Sequence, residues 1–162
     1  MNDSMSYRLM KPGEEAEVFS LVECGFNQFV RDDCTQEGIR EFFRATRVMV
    51  FDQPPNHFIM VAVTQGKIVG MIDMKENCHI CLFFVDSSYQ RQGVGKALLD
   101  HALAYCLRNT PEVTAIDVHS SLFAVPIYKK LGFRQTKPEQ IRNGIRFVEM
   151  VKQLQPQSAI FG

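Results

Sequence analysis

The chain has no surplus of either charge: 18 lysines and arginines face 18 aspartates and glutamates over 162 residues. A neutral balance gives no overall pull toward nucleic acid or anionic lipid, so the expected partner is a small-molecule or peptide substrate, with no nucleic acid and no membrane. No apolar run approaches the roughly 18 residues that a membrane-spanning helix requires. The stretch "MNDSMSYRLMKPGEE" has no basic flank leading into an apolar segment, which makes the cytoplasm the expected compartment. Internal repeats, low-complexity tracts and linkers are also missing, so residues 1–162 are read as one domain. Cysteines are few: Cys24, Cys34, Cys78, Cys81 and Cys106 form an odd, scattered set that suits reduced thiols better than a disulfide framework. Cys78 and Cys81 make one CxxC, "CHIC", but no second CxxC or CxxH follows. In a strand, residues three apart point to opposite faces, so both are read as structural thiols and no metal is expected.

What is present suffices for a single core, since 46% of the residues are hydrophobic. "SYRLMK" reads as a first strand closed by Pro12-Gly13. Two helices follow, one from Glu14 to about Val30 and one in "TQEGIREFFRAT" with Thr35 as its cap. "HFIMVAVT" and "KIVGMIDM" flank Gln65-Gly66 as a hairpin, and "HICLFFV" has the composition of a strand buried on both faces. From Gly93 to Asn109 the apolar residues recur at helical spacing. "VTAIDVH" is a strand, and "LFAVPIYKKLGF" a short helix with Gly132 past its end. Phe133–Lys137 and Ile145–Lys152 are two closing strands around Asn143-Gly144. The alternation gives an α/β layout with a mixed sheet, too irregular for a doubly wound domain. Arg40, Arg44 and Arg47 share a helix face, which the neutral overall charge assigns to solvent or to a dimer contact rather than to nucleic acid.

The chemistry concentrates in "YQRQGVGKALL", residues 89–99. Gly93 and Gly95 let backbone N–H groups approach a ligand closely, and the helix that starts there adds its positive dipole end, so the stretch reads as an anion site. A phosphate-binding P-loop would need glycine at 90 and serine or threonine at 97, where the chain has Gln90 and Ala97. The dinucleotide fingerprint GxGxxG comes nearer but has Leu98 at its third glycine. A plain glycine turn into a helix is the remaining reading of the two glycines alone.

"FFVDSSYQRQGVGKALL", followed about thirty residues later by "IYKKLGF", resembles the GCN5-related N-acetyltransferase (GNAT) superfamily. That superfamily's acetyl-CoA loop reads (Gln/Arg)-x-x-Gly-x-(Gly/Ala), and Gln90, Gly93 and Gly95 match it. "YRLMKPGEEAEVF", "VHSSLFAVPIYKKLGF" and "NGIRFVEM" extend the resemblance over nearly the whole chain. It implies a mixed, mostly antiparallel central sheet with helices on both faces, and acetyl-CoA (coenzyme A) as the cofactor. It also implies that the amides of Gln92, Gly93, Val94, Gly95 and Lys96 hold the pyrophosphate, with Arg91 and Lys96 as charge partners, and that pantetheine pairs with the backbone at Phe84 and Val85. Many relatives are homodimers.

Acetyl transfer to an amine requires a neutral nucleophile, and deprotonating a lysine-like amine at pH 7 costs about 4–5 kcal/mol, so a general base is expected. Tyr128 matches the superfamily's usual tyrosine, whose phenol could donate to the leaving sulfur. Glu23, Asp73, Glu76, His79, Asp117 and His119 are the base candidates, of which His119 is the sharpest because it ends a strand beside the expected cleft. His119 also stands where the nearest pattern places an asparagine that contacts coenzyme A, so cofactor contact, catalysis or neither stays open for it. Ser87 replaces a frequent proline. Phe26, Phe29, Asp32 and Asp33 could combine an apolar wall with negative charge and favour a cationic amine. Solvated caps are the plainer role for the two aspartates. A non-catalytic acyl-CoA-binding module of the same fold, or a nucleotide-binding protein using Gly93-Val94-Gly95, remain the competing classes.

Overall fold

The computed structural model describes residues 4–155, so most of the C-terminal "QPQSAIFG" lies outside the described residues. Strand β1 (Ser6–Leu9) leads to helices α1 (Glu15–Phe29) and α2 (Gln36–Arg47). The Thr35 side chain accepts a hydrogen bond from the Gly38 N–H at 3.1 Å, which caps α2 as its sequence implied. Strands β2 (His57–Thr64), β3 (Lys67–Lys75) and β4 (His79–Val85) form an antiparallel meander. Gln65 and Gly66 both have positive φ, as the tight β2–β3 hairpin requires. Helix α3 (Val94–Asn109), strand β5 (Ala115–Ser120), helix α4 (Val125–Lys130) and strands β6 (Arg134–Gln135), β7 (Gln140–Arg142) and β8 (Ile145–Gln153) complete the chain.

The sheet runs β1-β2-β3-β4-β5-β8-β6, with β7 also paired to β8, and every pairing except β4 with β5 is antiparallel. The mixed, mostly antiparallel expectation holds. The closing segment differs from its reading: three strands form rather than two, and Asn143-Gly144 turns β7 into β8. The Phe133–Lys137 strand shrinks to the two residues of β6. The reason is local, because Asn143 and Gly144 both take the left-handed conformation of a two-residue hairpin, and such a turn must be flanked by directly paired strands. The short helix also contracts, from "LFAVPIYKKLGF" to six residues, with Pro126 in its first turn.

Each face of the sheet buries its own core. Val18 and Val22 of α1 pack with Val50, Ile59, Val61, Met71 and Leu82 on one side. Leu98, Leu99, Ala102 and Cys106 of α3 pack with Val69, Ile72, Met74, Ile116 and Met150 on the other. Two register shifts bend the meander. Val69 is the extra residue of β3 against β2, and Cys81 is the extra residue of β4 against β3. Bulges increase local twist, and the one at Cys81 sits where β4 begins to leave β5. Beyond His79–Asp117 and Ile80–Val118, those two strands no longer pair. Among the described residues no helix is long and apolar enough to cross a membrane.

Candidate active site

The parting of β4 from β5 opens a cleft of about 280 Å³. Its walls come from β4 (Ile80 to Phe84), the end of β5 (Val118 to Ser120), the start of α4, and the β7–β8 hairpin, with Val30 and Phe42 contributed from the α1–α2 side. The hairpin is held there by close backbone contact: Thr35 N–H donates to the Gly144 carbonyl at 2.9 Å, and any side chain at Gly38 would collide with that carbonyl.

The open edge of β4 presents a defined set of backbone groups. Asp86 N–H donates to Val69 O on β3 at 2.8 Å, so by strand alternation the backbone of Phe84 faces β3 while those of Phe83 and Val85 face the gap. This corrects the expectation for Phe84, whose ring lines the cleft but whose backbone is turned away from it; Phe83 takes that place. Gln90 does not reach into the cleft. Its Nε2 donates to the Val85 carbonyl at 3.1 Å and so ties the glycine loop to the end of β4.

In the loop, Arg91 (φ 64°) and Gly93 (φ 83°) are left-handed, and nothing lies within 4 Å of where a Gly93 side chain would start. Among the described residues no side chain caps α3, so the N–H groups of Val94, Gly95 and Lys96 face outward with the positive end of a 16-residue helix behind them. Lys96 is bonded to Asp100 at 2.9 Å, and Gln92 Nε2 donates to Ser88 O at 3.1 Å. Arg91 stands exposed. An uncapped, unobstructed helix start beside an open strand edge and an apolar cleft fits a pyrophosphate joined to a long polar amide chain, which is the shape of coenzyme A.

Tyr128 lies at the base of the cleft, edge-on to Phe83 (6.1 Å between centroids) and Phe133 (5.1 Å). Burial pushes its phenol above the ordinary value, and among the described residues its hydroxyl has no hydrogen-bond partner. A buried phenol with a free O–H is a proton donor aimed at whatever fills the cleft. His119 also lines the cleft, with its ring tilted on Phe147 at 4.7 Å and edge-on to His79 at 5.0 Å. Burial and then the neighbouring His79 hold its imidazole below the ordinary value, so at neutral pH it can accept a proton. His79 Nδ1 in turn meets Asp117 Oδ2 at 3.0 Å, a short polar chain behind His119.

The other base candidates lie elsewhere. Glu23 and Glu76 are exposed, and Asp73 is fully buried against His57 Nδ1 at 2.6 Å. Cys81 comes close to that pair, and the three offer ligand atoms within 4.8 Å of one another. The 2.6 Å contact is a short hydrogen bond, well inside the roughly 3.3 Å that separates two ligands on one tetrahedral zinc. Burial pushes the Cys81 thiol up to about 12, so it lines the cleft as a neutral group.

Of the acceptor-side candidates, Phe26 is core. It is fully buried, stacked on Phe42 at 4.0 Å, because its place on α1 points it at α2. Phe29 stacks on Phe123 at 4.3 Å, and their chain neighbours Val30 and Ala124 both line the cleft, so this pair forms a lip. Asp33 is taken up by Arg146 at 3.6 Å, and exposed Asp32 does not line the cleft. The sequence reading missed Arg142, Asn143 and Arg146, which only the β7–β8 pairing brings over the cleft. It also missed Phe83, whose role depends on strand alternation counted from Asp86.

A family model described as an acetyltransferase (GNAT) domain matches residues 30–154. The chain belongs to the GNAT acetyltransferase family. It is 32% identical over 111 residues to the peptidyl-lysine N-acetyltransferase YjaB of Salmonella typhimurium, an alignment covering 67% of this chain and 73% of that one. The GNAT fold is equally plain. A GCN5-related N-acetyltransferase from Rhodopseudomonas palustris superposes with a TM-score of 0.74 at 20% identity, over 95% of this chain and 99% of that one. The PaiA N-acetyltransferase of Thermoplasma acidophilum, solved in complex with coenzyme A, gives 0.71 at 14% identity, over 93% and 99%. Family membership and the curated relative make this chain a GNAT-type N-acetyltransferase.

Proposed function

We propose that the protein transfers the acetyl group of acetyl-CoA to a primary amine of a small molecule or peptide, as a single cytoplasmic domain able to pair as a homodimer. The observation that carries the reading is the buried Tyr128, its hydroxyl partnerless, facing a cleft whose β4 edge is open. Bound acetyl-CoA would supply an acyl carbon with a thiolate as its leaving group. The amides of Val94, Gly95 and Lys96 hold the pyrophosphate at the start of α3, with Arg91 as a flanking charge. Val85 and Phe83 offer backbone groups to the pantetheine amides, and Gln90 keeps the loop and the strand end in register. His119 receives the amine's proton, directly or through water, and Tyr128 donates one to the departing sulfur. A neutral base and a protonated acid thus coexist at pH 7: partial shielding and the neighbouring His79 keep His119 uncharged, and burial keeps the proton on Tyr128.

The test is thiol release from acetyl-CoA across a panel of amines and lysine peptides, together with calorimetric binding of coenzyme A and NAD. Turnover with coenzyme A bound and NAD ignored supports the proposal. Tight coenzyme A binding with no turnover on any acceptor would instead make the protein an acyl-CoA-binding module, and NAD binding would return it to the nucleotide-binding class.

A further inference from the structure

Among the described residues, those lining the cleft include two arginines, Arg142 and Arg146, and no aspartate or glutamate. Arg146 is already neutralised, at 2.7 Å from Glu139 and 3.6 Å from Asp33. Arg142 is not: among the described residues it makes no ion pair, and its guanidinium lies over the Phe147 ring, 5.4 Å from the centroid. The other side of the Phe147 contact is His119, at 4.7 Å. A cation, a ring and an imidazole therefore follow one another along the cleft, with the guanidinium carbon no more than about 10 Å from the His119 ring. Phe147 itself is buried and fixes the spacing.

From this arrangement we infer that Arg142 is the anchor of an anion subsite for the acceptor: the amine that is acetylated carries a carboxylate a few bonds from its nitrogen. The inference rests on the acetyltransferase reading and names its substrate class. It also reverses the charge expected from Asp32 and Asp33, because the first lies off the cleft and the second is spent on Arg146. A guanidinium takes a carboxylate through two parallel hydrogen bonds. With the acid held there, an amine at the other end of a short molecule falls beside His119, whereas a polycationic acceptor would bring like charge to Arg142. Free amino acids and acidic peptides share this chemistry.

The experiment compares kcat/KM for γ-aminobutyrate against its amide, and for a lysine tetrapeptide with glutamate against one with glutamine beside the lysine, in wild type and Arg142→Ala. A hydrogen-bonded charge pair predicts a preference for the acid of roughly tenfold or more in at least one pair, shrinking to within about twofold in Arg142→Ala, while coenzyme A affinity is unchanged. The pair that shows it says whether the acceptor is a small molecule or a peptide. Equal use of acid and amide, a preference that survives Arg142→Ala, or a tenfold loss of coenzyme A affinity in that variant overturns the subsite. Should no acceptor turn over, the transfer reading fails separately. Calorimetric binding of γ-aminobutyrate and its amide to the coenzyme A complex then decides the subsite alone, with equal affinities counting against it.

Discussion

Replacing Tyr128 by phenylalanine removes one oxygen atom, and the structure makes opposite forecasts for folding and for chemistry. The side chain is buried and its hydroxyl has no protein partner among the described residues, so its loss strands no donor or acceptor. The phenylalanine keeps the contacts with Phe83 and Phe133. The hydroxyl is not among the sealed, unpartnered polar atoms and opens on the cleft, where water can serve it, so Tyr128→Phe should leave stability within about 1 kcal/mol of wild type. Catalysis should suffer. A hydrogen bond to a sulfur that becomes anionic in the transition state is of the charged kind, worth about 1.5–3 kcal/mol, which corresponds to a fall in kcat of roughly 10- to 150-fold. The assay pairs urea unfolding with thiol release at saturating acetyl-CoA and acceptor, and coenzyme A affinity serves as the control. A variant that turns over within about threefold of wild type would refute the donor role. A variant that loses several kcal/mol of stability would show that the hydroxyl has a structural partner after all.

His119 acts only when neutral, and its depressed pKa means that kcat at saturating acceptor should rise through a limb centred below pH 6.5. The groups around it set that position: burial, His79 and Arg142 lower it, while Asp117 and Glu149 raise it. His119→Gln should abolish the limb, and a limb centred above pH 7 would contradict the assignment. Gly38→Ala forces a methyl group into the Gly144 carbonyl, so a loss of about 1–3 kcal/mol in denaturant unfolding is expected, with a raised acceptor KM as the β7–β8 hairpin backs away. Unchanged stability there would mean that the hairpin is not clamped to α2. Asp73→Ala leaves the nearly buried His57 without its hydrogen-bond partner and should cost about 1–3 kcal/mol at pH 7, limited because burial already pushes the Asp73 carboxyl up to about 6; a loss under about 0.5 kcal/mol would show the pair to be solvated.

Much of the fold was legible in the sequence where information is local. The spacing of residues from Val94 to Tyr105 placed α3, Thr35 announced the start of α2, and the glycines at 93 and 95 marked the loop, because caps, periodicity and left-handed turns are written within a few residues of where they act. The features that shape the acceptor side are not local. Arg142 belongs to the cleft only because Asn143-Gly144 pairs β7 with β8 rather than extending β6, and Asp33 lost its expected role to an arginine 113 residues away. "CHIC" illustrates the same limit. Alternation predicted opposite faces for Cys78 and Cys81, but the extra residue in β4 is Cys81 itself, and a bulge cannot be counted from composition.

That bulge links fold to function more tightly than any single side chain. Without the extra residue, β4 would have no local reason to twist away from β5, and parallel pairing begun at His79 and Ile80 could continue toward Phe84. Continued pairing would occupy the Val85 and Phe83 backbone, shut the space in front of Tyr128, and push His119 against β4. The strand therefore gives up parallel hydrogen bonds to β5, and a strand edge left bare in a protein interior is costly unless something fills it. A ligand with its own row of amide donors and acceptors offsets that cost on binding, so the open edge and the affinity for an extended amide chain are two sides of one energetic arrangement. Deleting Cys81 should then close the gap and weaken coenzyme A binding, read by calorimetry, even though no side chain that touches the pyrophosphate has changed; an affinity equal to wild type would break the link between bulge and cleft.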